Sequence, residues 1–130
     1  MEEVVEFLRK CGAFHLATID MDKPRVRPFG VTNIFDGKLY ILTGKKKDVF
    51  KQIMNNPNVE ISANIGENWI RIEGKLVNDD RKSAKKDMLD KNPYLRSMYS
   101  EDDDNTAVLY FEKAKATINS FTEEPRIIEF

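Results

Sequence analysis

Hydrophobic residues recur along this chain with two different periods, one typical of helices and the other of strands. From residue 2 to residue 11 they recur every three or four positions, and Gly12 follows, which predicts a short amphipathic helix. The same spacing predicts helices over 46–56 and 79–91, with a further helical turn over 94–99. Clean alternation of apolar and polar residues instead predicts strands over 58–65 and 69–77. Strands are also predicted over 13–20, which is apolar and β-prone, and over 25–35, 38–43, 106–112 and 114–121.

Most of these predicted strands follow one another through short connections. Asp36-Gly37 is the strongest hairpin signal, because both residue types tolerate the positive φ of a two-residue turn. Six to seven antiparallel strands with two to three flanking helices favour a mainly β (α+β) barrel, closed or partly closed, over a doubly wound parallel sheet. Neither a repeat nor a flexible linker divides the chain, so we expect residues 1–130 to form a single domain.

Composition narrows the class of protein. With 41% hydrophobic and 33% charged residues, the chain is typical of folded globular proteins. Its 21 basic residues nearly balance 22 acidic ones, which argues against a protein whose main partner is nucleic acid. No apolar run approaches the roughly 20 residues that span a membrane, and the N-terminus is acidic where a signal peptide is basic. We therefore expect a cytoplasmic protein that contacts neither nucleic acid nor membrane.

Few side chains in this sequence are suited to catalysis. A single cysteine, Cys11, and a single histidine, His15, exclude an intrachain disulfide and a metal site of several histidines. His15 lies in an apolar strand, where a histidine is more often packed than catalytic. The acidic run Glu101–Asp104 is interpreted as a solvated loop, so no metal site is predicted. The chain also lacks a nucleophile elbow and a phosphate-binding glycine loop, so its chemistry would have to come from a bound cofactor.

Two basic segments carry the strongest functional signal. Arg25 and Arg27 share one face of the predicted strand 25–35, and three lysines, Lys45 to Lys47, lie where the next helix is predicted to begin. Cations at a helix N-terminus are unfavourable unless an anion binds there, because the free N–H groups already carry partial positive charge. The predicted hairpin would bring the arginines near the lysines. We interpret the pair as a phosphate site; the alternative is a solvated basic turn.

A third segment, Trp69 to Gly74, admits two interpretations. Trp69 is either a half-exposed strand aromatic or a residue that packs on a flat ring. Arg71 either pairs with Glu73 or a neighbouring strand, or donates to a ligand. Spacing alone does not choose between them.

Taken in order, these motifs resemble the pyridoxamine 5′-phosphate oxidase-like flavoproteins, which are FMN-binding split β-barrels. The resemblance covers nearly the whole chain. It rests on an ordered set of segments, namely Pro24–Gly30, Asp36–Tyr40, Thr43 with Lys46-Lys47, Asn56–Val59 and Arg71–Gly74.

The resemblance implies a homodimer with two FMN sites at the subunit interface. It implies that the flavin is lined by Arg25, Arg27, Pro28, Phe29, Gly30, Leu42 and Thr43. Lys46 and Lys47 match the pair that holds the flavin phosphate. Trp69 stands where the family has a polar flavin contact from the second subunit, and a tryptophan there would stack on the ring or cover it.

Two departures from the family pattern bear on the substrate. The lysine that binds substrate phosphate in true pyridoxamine phosphate oxidases is replaced by the stretch Val31-Thr32-Asn33, and the chain ends at Phe130 without their C-terminal tryptophan and arginine. Oxidation of vitamin B6 is therefore not expected. The chain is more similar to the small members of the family, which include nitroimidazole-resistance-type reductases.

The function expected from the sequence is that of an FMN-dependent oxidoreductase acting on a small molecule, with no catalytic side chain assigned. The alternative is a flavin or haem carrier or sensor without turnover. A less favoured alternative is an oligonucleotide-binding barrel, which also uses basic and aromatic strand residues. A deazaflavin in place of FMN also remains open.

Overall fold

Eight strands form one antiparallel sheet, and three α-helices pack against it in the computed structural model, which describes residues 1–130. The strands are β1 (Phe14–Asp20), β2 (Lys23–Phe29), β3 (Thr32–Phe35), β4 (Lys38–Gly44), β5 (Asn58–Ile65), β6 (Asn68–Asp79), β7 (Thr106–Asn119) and β8 (Arg126–Glu129). The helices are α1 (Glu2–Cys11), α2 (Asp48–Asn55) and α3 (Lys82–Lys91), with a 3₁₀ helix at Pro93–Ser97. The mainly β antiparallel fold class predicted from the sequence is confirmed. None of the helices has the length and apolar character needed to cross a bilayer.

The order of strands shows where the barrel is split. Hydrogen-bonded neighbours run β2-β1-β5-β6-β7-β4-β3, and β8 pairs with β7 outside this path. Although β2 and β3 follow each other in the chain, they lie at opposite ends of this order. Only Gly30 and Val31 connect them. The two edges of the sheet are therefore joined by the chain itself and not by a ladder of hydrogen bonds.

The prediction of one long strand over 25–35 was wrong. The segment is interrupted at Gly30-Val31, and its two halves pair with different partners, β2 with β1 and β3 with β4. Alternation over 25–35 could not reveal the break, because both halves are extended. The break matters for the site, since the backbone of Gly30 and Val31 is left outside both ladders.

Strand number also differs in the C-terminal part. The two strands predicted over 106–121 are one strand, β7, which bends at a bulge where Lys113 adopts a positive φ of 55°. The tail, for which no strand was predicted, contributes β8. Together with the division of 25–35, these changes give eight strands where six to seven were predicted.

Turn chemistry was predicted more accurately than helix ends. Asp36 and Gly37 both have positive φ, 54° and 73°, so the predicted hairpin between β3 and β4 is confirmed. Helix α2 begins at Asp48, so Lys46 and Lys47 precede the helix and do not form its first turn. Helix α3 begins at Lys82, three residues later than predicted, because β6 continues to Asp79.

Apolar side chains form two clusters, one on each side of β4 and β7. The larger cluster, of 21 buried residues, fills the barrel and is covered by α1 and α2. The smaller one holds α3 and the 3₁₀ helix against the outer side of the barrel and consists of Tyr40, Leu42, Ala84, Met88, Leu89, Leu95 and Val108. Leu95 anchors the 3₁₀ helix in this second cluster, which sets the position of the residues that follow it.

Glycine at position 74 is required by close packing at the β7 bulge. A Cβ built there would lie 3.1 Å from the Ala114 Cα and 3.1 Å from the Phe111 ring. We expect Gly74→Ala to lower the free energy of unfolding by about 1–3 kcal/mol, as overpacking does elsewhere, and urea denaturation would measure it. Gly30→Ala is the matched control, because a Cβ at Gly30 meets no atom within 4 Å. Equal stability of the two variants would contradict this account.

Candidate functional site

A cavity of about 220 Å³ opens where the β2–β3 connection, the end of β4, the start of α2 and the 3₁₀ helix meet. One side is polar and basic, and the rest is apolar. The lining residues are Arg27, Pro28, Phe29, Gly30, Val31, Leu42, Thr43, Lys47, Val49, Leu95, Met98 and Tyr99. A wider depression of about 370 Å³ lies on the outer face of β5, β6 and β7, but it is lined almost entirely by polar and charged residues and offers no apolar wall to a planar ligand.

Seven of the ten site residues predicted from the sequence meet at the smaller cavity. They are Arg27, Pro28, Phe29, Gly30, Leu42, Thr43 and Lys47. The other three, Arg25, Lys46 and Trp69, do not line it. Five lining residues were not predicted, namely Val31, Val49, Leu95, Met98 and Tyr99. Of these, Val49 had a signal in its position on the inner face of the predicted helix, but nothing in the sequence links residues 95–99 to β2.

The two arginines of β2 have different surroundings. Arg27 lines the cavity and donates to the Leu16 carbonyl, the Thr18 hydroxyl and the Gln52 side chain. Arg25, two residues farther from the end of the strand, is ion-paired with Asp20 at 3.1 Å. Alternation places Arg25 and Arg27 on the same face of the strand, but in the structure only Arg27 lines the cavity.

The lysine loop is held by a residue that sequence reasoning missed. The Asn105 carbonyl accepts from the Lys45 N–H at 2.7 Å, and the Asn105 side chain accepts from the Lys46 N–H at 3.0 Å. Gly44 allows this approach, because a Cβ there would lie 2.9 Å from the Asn105 amide nitrogen. The result is that Lys47 lines the cavity as the N-cap residue of α2, while Lys46 lies outside the lining.

Basic side chains that form no ion pair mark this end of the barrel. Lys45 pairs with Asp80 at 2.8 Å, but Arg27, Lys46 and Lys47 have no carboxylate within ion-pair distance. Partial burial lowers the pKa of the Arg27 guanidinium and the charge of Arg25 adds to this effect, while the charge of the Asp48 carboxylate opposes it. An arginine remains protonated at neutral pH all the same. The cavity is thus suited to an anionic ligand.

Free backbone donors lie beside these cations. Gly30 and Val31 belong to no strand, and their N–H groups take part in none of the backbone hydrogen bonds of turns and loops. Both residues line the cavity. Free backbone N–H groups at a ligand pocket can donate to a polar edge of the ligand.

Trp69 and His15 both lie away from the cavity. Trp69 packs against Phe121, which lies two residues beyond the end of β7, with ring centroids 5.1 Å apart, and Phe121 is largely exposed. His15 was predicted to be packed, but its side chain is exposed on β1, opposite Pro28 on one side and Ser62 on the other. The burial pattern of β1 explains this, because the residues on either side of His15, Phe14 and Leu16, occupy the core face.

Comparisons with known proteins agree with the fold. The family described as pyridoxamine 5′-phosphate oxidase matches residues 1–119. A NimC/NimA family protein from Clostridium acetobutylicum is 46% identical with a TM-score of 0.97, and the alignment covers 100% of this chain and 92% of that one. No curated protein matches significantly.

Two more distant structures share the fold. General Stress Protein 26 from Bacillus anthracis is 20% identical with a TM-score of 0.78, over 99% of this chain and 97% of that one. A FAD-binding protein from Mesorhizobium loti is 15% identical with a TM-score of 0.61, over 92% of this chain and 94% of that one. The match over residues 1–119 shows that this chain belongs to the pyridoxamine 5′-phosphate oxidase family.

Proposed function

We propose that this protein binds FMN in the cavity at the β2–β3 connection and is a flavin-dependent oxidoreductase acting on a small molecule. The observation that carries the proposal is the pairing of an apolar cavity with cations that lack acidic partners, Arg27 and Lys47. A phosphate group on a flat, largely apolar ring system has the matching chemistry. Arginine would bind the phosphate through a pair of hydrogen bonds, and lysine would act as a mobile point charge.

The remaining lining residues fit the ring of a flavin. Phe29, Leu42 and Val49 supply apolar walls, and the open space beside Gly30 leaves room for a ring against the backbone. When bound, the flavin supplies the electron transfer. The N–H groups of Gly30 and Val31 would donate to a ring edge and stabilise negative charge there.

The size of the cavity supports a second subunit at the site. About 220 Å³ is less than the roughly 300–1,000 Å³ of most small-molecule sites, so one chain encloses only part of an FMN molecule. We therefore propose a homodimer with FMN at the subunit interface. Trp69, which does not reach the cavity of its own chain, would contact the flavin bound mainly by the partner.

The visible spectrum of the purified protein is the primary test. Bands of bound oxidised flavin, reconstitution with FMN and bleaching by NADH or NADPH are expected, and sedimentation should give the mass of a dimer. A colourless protein that takes up no FMN would contradict the proposal.

A flavin carrier or sensor without turnover is the second candidate. The observation in its favour is that Tyr99 is the only acid–base side chain in the cavity besides the two cations. A bound flavin that no physiological donor reduces would favour this candidate. Haem is a weaker fit, because His15, the only histidine, does not line the cavity.

Removing the lysine pair should weaken FMN binding. We expect the double variant Lys46→Ala/Lys47→Ala to raise the FMN dissociation constant at least tenfold, with most of the effect from Lys47, because that residue lines the cavity. Fluorescence titration would measure it. Lys45→Ala is the control, since Lys45 already pairs with Asp80. Unchanged affinity of the double variant would mean that the phosphate binds elsewhere.

A further inference from the structure

Arg27 is held by two neutral side chains that come from different elements. Its Nη1 donates to the Thr18 hydroxyl of β1 at 2.7 Å, and its Nη2 donates to the Gln52 Oε1 of α2 at 2.7 Å. The Thr18 hydroxyl in turn donates to the same Gln52 oxygen at 2.6 Å. The three side chains therefore form a closed triangle of hydrogen bonds between two strands and a helix.

The triangle determines which edge of the guanidinium stays available. The Thr18 and Gln52 oxygens lie side by side. They therefore accept hydrogen bonds from the Nη1–Nη2 edge of the Arg27 guanidinium. The second Nη1 hydrogen is used by the Leu16 carbonyl at 3.2 Å. Of the five N–H donors of an arginine, the Nε–H and the second Nη2 hydrogen remain. These two lie on the same side of the group and form a fork that suits two oxygens of one phosphate.

Thr18 and Gln52 are neutral acceptors, so they orient Arg27 without forming an ion pair with it, and the carboxylate of Asp48 acts on Arg27 only from beyond ion-pair distance. A carboxylate at position 18 or 52 would hold the guanidinium as firmly but would form an ion pair, as Asp20 does with Arg25. Thr18 is almost fully buried, so its hydroxyl needs a partner inside the protein and is fixed in one direction. The orientation of the Gln52 side chain is fixed as well, because its Oε1 accepts from both the Thr18 hydroxyl and the Arg27 Nη2.

We propose that Thr18 and Gln52 are positioning residues that present the Nε–Nη2 edge of Arg27 to a phosphate monoester in the cavity. This inference rests on the proposed function, because the phosphate is that of FMN. It adds that Thr18 and Gln52, which do not line the cavity, contribute to a preference for FMN over riboflavin. If Arg27 were free to rotate, phosphate binding would have to order its side chain, at a cost in free energy. This cost would lower the affinity for FMN but not the affinity for riboflavin, which has no phosphate.

The test compares FMN with riboflavin, which has the same ring but no phosphate, by fluorescence titration of the full chain. Thr18→Val removes the hydroxyl at nearly constant volume, Thr18→Ser restores it, and Gln52→Leu removes the shared acceptor. We expect Thr18→Val and Gln52→Leu each to weaken FMN binding about five- to tenfold while riboflavin affinity changes less than twofold. Thr18→Ser should bind FMN like the wild type. Asn55→Leu, a similar change at an exposed position of α2, is the control.

Three outcomes would overturn the inference. An equal loss of FMN and riboflavin affinity would show that Thr18 and Gln52 act only on the fold. Wild-type FMN affinity in both Thr18→Val and Gln52→Leu would remove the positioning role and leave the proposed function intact. A wild-type protein that does not bind FMN would refute the proposed function and this inference with it. If Thr18→Val does not fold, Gln52→Leu, at a half-buried position of α2, still decides between these outcomes.

Discussion

Replacing Arg27 with alanine should weaken FMN binding about a hundredfold, the largest effect on binding that we expect from a single substitution. The side chain offers two free donors to the phosphate, and hydrogen bonds to charged groups contribute about 1.5–3 kcal/mol each. Two such bonds at the lower end of this range contribute about 3 kcal/mol, which corresponds to a factor of somewhat more than one hundred. Riboflavin binding should change far less, because riboflavin has no phosphate. Equilibrium titration of both ligands would measure the difference.

Arg27→Lys and Arg25→Ala sharpen this prediction. Lysine keeps the charge but cannot donate two parallel hydrogen bonds, so an intermediate loss of about tenfold is expected. Arg25 lies on the same strand and carries the same charge, but it is paired with Asp20 and does not line the cavity. Its replacement by alanine should change FMN affinity less than threefold. A larger effect at Arg25 than at Arg27 would contradict the placement of the phosphate.

Asp79→Asn should produce the largest loss of stability, about 3 kcal/mol. Asp79 is buried at the end of β6, where it accepts from the Tyr40 hydroxyl at 2.7 Å and from the Arg81 guanidinium at 2.9 Å. The backbone N–H of Arg81 also donates to it, at 3.1 Å. Removing the charge leaves the buried Tyr40 hydroxyl and Arg81 with poorer partners, and disrupting such a buried pair costs about 3–5 kcal/mol. Because Arg81 is half exposed, the lower end of that range applies.

The same carboxylate predicts a characteristic dependence on pH. Burial alone would raise the pKa of Asp79, but hydrogen bonds from Arg81 and Tyr40 outweigh it and lower the pKa from 3.8 to about 2. The unfolded chain therefore takes up this proton first as the pH falls. The stabilisation is fully present above about pH 4 and is lost as the pH drops towards 2. At 1.36 kcal/mol per pKa unit, it amounts to about 2 kcal/mol.

Tyr40 limits the stability of the fold at high pH, as Asp79 does at low pH. Its burial, together with its hydrogen bond to Asp79, raises the pKa of the Tyr40 hydroxyl to about 12. A raised pKa means that the contribution of Tyr40 is complete below about pH 10 and is lost as the pH rises through 12.

Urea denaturation of the wild type and Asp79→Asn between pH 2 and 7 would check both parts of the Asp79 prediction. The difference between the two proteins should be largest at neutral pH and should shrink as the pH falls, because the wild-type carboxyl becomes protonated. Asp80→Asn is the control, since Asp80 is mostly exposed and its pair with Lys45 should contribute less than about 1 kcal/mol. A difference that stays constant down to pH 2 would contradict the lowered pKa.

Local sequence was sufficient for much of the fold. The alternation in residues 58–65 reflects one buried and one solvated face, so it identified β5 with its correct bounds. Asp36-Gly37 predicted its hairpin because the conformation of the turn depends on those two residues themselves. The predicted starts of α2 and α3 were less accurate, because they depend on partners elsewhere in the chain. Asn105, 59 residues from Lys46, holds the loop before α2.

The features of the candidate site also fall into those that local sequence predicts and those that it does not. By itself, the sequence predicted an arginine-bearing strand, a lysine cluster and a helix that starts beside that cluster, because each of these signals is contained in a few neighbouring residues. Only the tertiary structure decided that β2 ends before Gly30, that Arg27 and not Arg25 lines the cavity, and that Leu95, Met98 and Tyr99 line it as well. The physical reason is that these features arise from strand pairing and packing between segments far apart in the chain, which alternation within one segment cannot encode.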